Sequence, residues 1–174
     1  SLSKVTFPGA GVAAMAASRR NIDYILKNMF PMIISFDKLN QVRHIRFLKD
    51  MDGLAAHMEK HRALLEPKFR AVLAILDEGL SGCGSIARWT KPNGGYFLSL
   101  YTLGGCAKRT VQLCREAGVV LTDAGAAYPY GVDPQDSNIR IAPTFPPLDE
   151  LETASRLLCV CVRIATLEKL LQRQ

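Results

Sequence analysis

Leu54, Met58, His61, Leu65, Phe69, Val72 and Leu76 recur at spacings of four, three, four, four, three and four, the signature of one buried stripe along a long amphipathic helix. No other pattern in the chain constrains the fold as strongly. Pro67 falls inside the stripe, where it removes a backbone donor and clashes with the preceding turn, so a bend is expected there. After Gly79 and the Gly82-Cys83-Gly84 loop the texture changes to strand-like runs and shorter helices. A module boundary near residue 80 follows from that change.

Upstream of the stripe, Pro8, Gly9 and Gly11 make the first twelve residues a loop. The alanine-rich segment from Val12 to Asn28 predicts a helix, with Pro31 following its end. Asp37 is placed to N-cap a second helix from Lys38 toward Lys49. Downstream, Ala87 to Thr90 and Tyr96 to Tyr101 flank Pro92-Asn93-Gly94-Gly95, and the Asn-Gly pair predicts a hairpin because both residues tolerate positive φ. Lys108 to Ala117 reads as a helix closed by Gly118, and Val119 to Thr122 as a short strand. Asn138 to Ala142 reads as another strand, with Ile139 and Ile141 on one face and Asn138, Arg140 and Ala142 on the other. Pro147, followed by Asp149 and Glu150 near the positive end of the helix dipole, opens a long terminal helix. The mixture is that of an α/β chain.

A length of 174 residues suffices for one domain with a substantial core plus a long connecting helix. With 48% hydrophobic and 22% charged residues the chain is neither disordered nor fibrous. A net charge of +6 raises the question of a nucleic-acid or anionic-membrane partner. The basic residues are scattered, however, and the tightest clusters, Arg19-Arg20 and Arg43-His44-Ile45-Arg46 with Lys49, lack the interleaved aromatics of a stacking platform. No nucleic-acid partner is expected from this segment; a small anionic ligand accounts for the excess equally well. No run reaches the roughly 18 apolar residues of a membrane span, so no membrane partner is expected either. The five cysteines, Cys83, Cys106, Cys114, Cys159 and Cys161, show no metal-type spacing. Cys159 and Cys161 stand two apart on a predicted helix and do not face each other. Reduced thiols in a cytoplasmic protein are the natural reading. The chain opens without Met, as though cut from something longer.

Two segments carry candidate chemistry. Ser1-Leu2-Ser3-Lys4 packs two hydroxyls and an amine ahead of a glycine-rich turn. A lysine that forms a Schiff base must reach a carbonyl while unprotonated, which an electropositive or desolvated neighbourhood promotes. The serines can donate to a phosphate, and Gly9-Ala10-Gly11 lets backbone amides approach an anion. The same four residues match the S-x-x-K motif of penicillin-binding proteins, but Pro8, Gly9 and Gly11 oppose the helix that motif opens, and its companion motifs are missing. Arg140, a planar guanidinium on a rigid strand, suits two-pronged capture of a carboxylate. His57 and His61 lie four apart on one helix face, but no H-E-x-x-H pattern or third ligand accompanies them, which makes them core or interface histidines.

Ser1-x-Ser3-Lys4 with its glycine turn, then Pro92-Asn93-Gly94-Gly95-Tyr96-Phe97, then Ala117-Gly118-Val119-Val120-Leu121-Thr122, then Ser137-Asn138-Ile139-Arg140-Ile141 resembles the class I aminotransferases in motif and order. Lys4 to Ala13 and Asn138 to Pro146 resemble the MocR-like subgroup more closely. The resemblance spans essentially the whole chain and implies the C-terminal portion of a fold type I transferase dependent on pyridoxal 5'-phosphate (PLP). Residues 1–50 would close the large domain, 51–80 form the interdomain helix and 81–174 the small α/β domain. It further implies ping-pong transamination between an amino acid, with aspartate suggested by the subgroup, and a 2-oxo acid, in a homodimer. Lys4 would form the internal aldimine and shuttle the proton, Ser1 and Ser3 would contact the cofactor phosphate, and Arg140, with Asn138 beside it, would bind the substrate carboxylate. Class I members place an arginine for the phosphate in a glycine-x-arginine turn shortly after the lysine; here Gly11 or Val12 stands there, so amides around Gly9 to Gly11 are expected to substitute. A PLP lyase, or an effector domain without transaminase activity, is the alternative on the same fold.

Overall fold

The computed structural model describes residues 1–7 and 9–172. Its elements run α1 (Arg19–Met29), α2 (Lys38–Leu48), α3 (Met51–Leu80), β1 (Ala87–Trp89), β2 (Leu98–Thr102), α4 (Ala107–Glu116), β3 (Asn138–Ile141) and α5 (Leu148–Leu171). They fall into two compact units, residues 1–62 and 63–174, with the division inside α3.

In the first unit the predicted helix over Val12 to Asn28 is shorter than expected, because α1 begins only at Arg19. Residues 12–18 have no helical assignment, and all but Val12 are exposed. Alanine's propensity alone does not hold a helix that buries no face. Ser18, extended at ψ 151°, supplies the start by accepting a hydrogen bond from the Asn21 N–H. Asp37 does the same for α2, accepting from the Asn40 N–H at 2.9 Å as predicted.

α3 remains helical through Pro67. Its apolar stripe is buried toward the C-terminal end, at Val72, Ile75, Leu76 and Leu80, whereas Met58 stays 39% exposed.

The second unit is built on a three-stranded antiparallel sheet in the order β1-β2-β3. Leu98 pairs with Ile141 and Leu100 with Ile139, so these four side chains share a face and enter one core with Val72, Leu76 and Leu80 of α3, Val111 and Cys114 of α4, and Leu158 and Val162 of α5. Each fully buried aliphatic side chain contributes about 1.5–3 kcal/mol, which makes this helix-on-sheet layer the main source of the unit's stability. At the crossing of α3 and α5 a Cβ on Gly79 would meet Cys159 Sγ at 2.8 Å, so only glycine fits there as the chain stands.

β1 and β2 form the predicted hairpin by a different turn. Trp89 pairs with Leu100, and the Thr90 N–H donates to the Ser99 carbonyl at 3.0 Å. The connection is therefore a wide loop over residues 91–97, with positive φ at Gly95 (92°), not a two-residue turn at Asn93-Gly94. Gly118 (φ 89°) ends α4 as expected, after Ala117. The strand expected at Val119 to Thr122 is absent: the segment is irregular, pairs with none of the three strands, and leaves Val120 79% exposed. β-rich composition needs an edge to pair with. All five cysteines are free thiols, and Cys106, Cys114, Cys159 and Cys161 are buried. Among the described residues no helix is long and apolar enough to cross a membrane.

Candidate functional site

The candidate residues stand on two short supports, a loop in the first unit and a strand in the second. Ser1 to Thr6 form a tight turn in which the Val5 and Thr6 N–H groups both donate to the Leu2 carbonyl at 2.9 Å, and the Leu2 N–H donates to Val12 O at 2.8 Å. These bonds close residues 2–12 into a loop. Ser1 and Lys4 are exposed and Ser3 half-buried. Ser1 Oγ donates to Ser3 Oγ at 3.0 Å and accepts from the Ser3 N–H at 3.2 Å. The two hydroxyls are thus mutually bonded, and the turn is no helix start, which removes the S-x-x-K alternative.

Gly9 (φ 73°) and Gly11 (φ 66°) take the left-handed conformation that glycine adopts freely. A Cβ at Gly9 would meet nothing within 4 Å, so this side of the loop lies open, whereas one at Gly11 would meet Asn40 Nδ2 at 3.1 Å. Asn40 Nδ2 donates to the Ala10 carbonyl and ties the loop to α2. Thr6, buried like His44, adds a second tie through its hydroxyl, 3.1 Å from His44 Nε2. Phe7 stacks on the His44 ring at 5.1 Å. Among the described residues no group of three or more His, Cys, Asp or Glu side chains is arranged to hold a metal.

On β3, Asn138 is buried and Arg140 half-buried, and both belong to the face opposite Ile139 and Ile141 because side chains alternate along a strand. The Arg140 guanidinium lies 4.7 Å from the centre of the Phe97 ring, a cation–π arrangement that holds the group without neutralising it. Its Nε and Asn138 Oδ1 are both buried with no hydrogen-bond partner among the described residues. Buried polar groups without partners are rare in folded proteins, and here a donor and an acceptor occur two residues apart. Arg140 also lines a cleft of about 550 Å³ between the irregular segment 118–122, the end of β3 and the first turns of α5.

Sequence reasoning passed over the group that anchors this strand. Asp133 accepts hydrogen bonds from the N–H groups of Gln135 (3.0 Å), Ser137 (2.7 Å) and Asn138 (2.8 Å) and from Ser137 Oγ (3.4 Å). Burial pushes its carboxyl up, but the Ser137, Asn138 and Gln135 bonds outweigh burial and hold it below the usual carboxylate range. The available signal was the Asp133-Pro134 pair, a turn initiator just ahead of a strand. At the strand's other end Lys68 donates to the carbonyls of Thr144 (2.9 Å), Phe145 (3.5 Å) and Pro146 (2.6 Å); nothing in its sequence context announced that.

Comparison with known proteins places these supports in a family context. Residues 1–174 match the family model described as aspartate amino-transferase. A protein of Mycolicibacterium smegmatis named as an aminotransferase is 50% identical over 171 residues, covering 98% of this chain and 40% of its own length. The crystal structure of an aspartate transaminase from Corynebacterium glutamicum superposes with a TM-score of 0.89 at 43% identity, over 97% of this chain and 40% of that one. The α-aminoadipate aminotransferase LysN of Thermus thermophilus, solved with N-(5'-phosphopyridoxyl)-L-leucine, shares the fold at 21% identity and a TM-score of 0.74, over 95% of this chain and 41% of that one. The chain therefore spans about two-fifths of the length of the relatives it matches.

Proposed function

Because the chain belongs to the aspartate amino-transferase family, we propose that it is the C-terminal part of an enzyme that uses pyridoxal 5'-phosphate to move an amino group between an amino acid and a 2-oxo acid. On this reading residues 1–50 complete the large domain, 51–80 form the interdomain helix and 81–174 the small domain of a cytoplasmic homodimer in the MocR-like subgroup. The likeness to the Corynebacterium glutamicum aspartate transaminase favours aspartate as the amino donor.

The residues present fit the cofactor. Lys4 stands exposed on a tight turn beside two serine hydroxyls, and the loop is open at Gly9, where a phosphate can approach the backbone. Pyridoxal phosphate supplies an electron sink for the charge that develops at the substrate Cα. Everything else falls to the protein. The Lys4 amine would hold the cofactor and would take the proton from the substrate Cα and return it. Ser1 and Ser3 donate to the phosphate, with the Gly9 and Gly11 amides in place of an arginine. Arg140 grips the substrate carboxylate, and Asn138 lies behind it on the same face of β3.

The observation that carries this reading is Arg140: a strand-held guanidinium stacked on Phe97, with a buried Nε that has no partner among the described residues. A carboxylate provides the acceptor it lacks. Borohydride reduction of the full-length enzyme followed by peptide mapping tests the assignment; the cofactor adduct is expected on Lys4, and an adduct on any other lysine refutes it.

A further inference from the structure

Thr6, two residues after Lys4, is only 6% exposed, and both of its polar oxygens face histidines from two different helices. Its hydroxyl lies 3.1 Å from His44 Nε2 on α2, and its carbonyl 3.3 Å from His57 Nε2 on α3. The proton positions follow from the partners. His44 Nδ1 is 2.8 Å from the Asn40 carbonyl, which only accepts, so Nδ1 carries a proton and Nε2 of the neutral ring is an acceptor. The hydroxyl also lies 3.1 Å from the Leu2 carbonyl, but that oxygen already accepts the Val5 and Thr6 N–H groups. The hydroxyl thus stands between two partners at equal distance, the Leu2 carbonyl and His44 Nε2. On the other side the Thr6 carbonyl likewise only accepts, so His57 carries its proton on Nε2, with His61 Nε2 3.0 Å from the same nitrogen. The stacking of Phe7 on His44 fixes the ring plane that this arrangement needs.

We propose that His44 and His57 are positioning residues that act through Thr6 to hold the Lys4 turn where its amine meets the cofactor aldehyde. The inference rests on Lys4 as the attachment residue. It assigns a task to His44 and to His57, the latter read from sequence as a core or interface histidine, and it explains why a threonine with both oxygens engaged lies buried two residues from an exposed lysine. What the histidines set is the backbone from which Lys4 projects, at a point where a misplacement of about 1 Å can cost two orders of magnitude in rate.

The test compares two ligands on the full-length apoenzyme. Pyridoxal phosphate can bond to a lysine, whereas pyridoxamine phosphate carries an amine in place of the aldehyde and cannot. For Thr6→Val, which keeps the shape and removes the hydroxyl, and for His44→Phe, which keeps the stack and removes both ring nitrogens, the affinity for pyridoxal phosphate is expected to fall about tenfold. Affinity for pyridoxamine phosphate is expected to change less than about twofold, because the phosphate and ring contacts are left alone. The double variant is expected to lose little more than the single ones, since both remove the same Thr6–His44 bond, and Thr6→Ser to restore the original ratio. Equal losses for both ligands would mean general damage to the loop and would overturn the inference, as would an unchanged ratio. Mapping the borohydride adduct separates the two layers: an adduct on another lysine overturns both readings, while an adduct on Lys4 with an unchanged ligand ratio overturns this one alone.

Discussion

Removing the Asp133 carboxylate should unseat the strand that carries Arg140. Of its four hydrogen bonds, the one to Gln135 is exposed, and water replaces the carboxylate there at little cost. The 2.7 and 2.8 Å bonds to the N–H groups of Ser137 and Asn138 serve residues that are 6% and 2% exposed. An unpaired buried donor costs about 1–3 kcal/mol. Allowing for water entering the space left by the side chain, Asp133→Ala should destabilise the protein by about 2–3 kcal/mol. Urea unfolding followed through Trp89, the single tryptophan and a β1 residue of the same sheet, reads this directly. The dependence on pH has a definite sign. Because the folded carboxyl is held below its ordinary value, its contribution is complete above the unfolded value of about 3.9 and disappears as pH falls through the lower, folded value. The gap between the original protein and Asp133→Asn should therefore be constant from pH 7 down to about 5 and close below about pH 4. A loss under about 0.5 kcal/mol for Asp133→Ala, or a gap that persists in strong acid, would refute the anchoring argument.

Two further outcomes are expected. Arg140→Ala in the full-length enzyme should lower kcat/KM for amino-acid and 2-oxo-acid substrates alike, by about 2–5 kcal/mol if a buried charge partner is lost, with cofactor content unchanged; a fall of less than about threefold would make Arg140 an ordinary strand residue. A thiol-reactive disulfide reagent at pH 8 should label half-buried Cys83 well before Cys114 and Cys159, whose thiols burial pushes up to about 12 and about 11, and mass mapping that found all three labelled together in the native protein would contradict the packing.

Much of the fold was readable because it depends on patterns that need no partner to be recognised. The stripe along α3, the Asp37 cap and the Gly118 stop are local chemistry, and each appears within a few residues of its expected place. The misses share a cause. Val12 to Ser18 has the composition of a helix but no face to bury, and Val119 to Thr122 the composition of a strand but no edge to join. Propensity describes what a segment tolerates, and packing decides what it does. The site divides in the same way. Lys4 and Arg140 stand out in sequence because their functional groups sit in motifs. Asp133, Thr6 and His44 act through backbone groups or side chains between 2 and 51 residues away, and no spacing rule reveals such pairs.

The contact between Gly79 and Cys159 bears on how related chains can diverge. Any residue larger than glycine at 79 brings its Cβ within 2.8 Å of the sulfur and 2.9 Å of the Cys159 Cβ, closer than packed atoms allow. Alanine at 79 therefore requires either a glycine at 159 or a wider separation of the two helices, and the latter would open the core around Ile75, whose carbonyl the Cys159 thiol meets at 3.7 Å. Positions 79 and 159, eighty residues apart, are thus linked in one direction: a side chain should appear at 79 only in chains that carry glycine at 159 or hold the two helices further apart, whereas 159 can vary while 79 stays glycine.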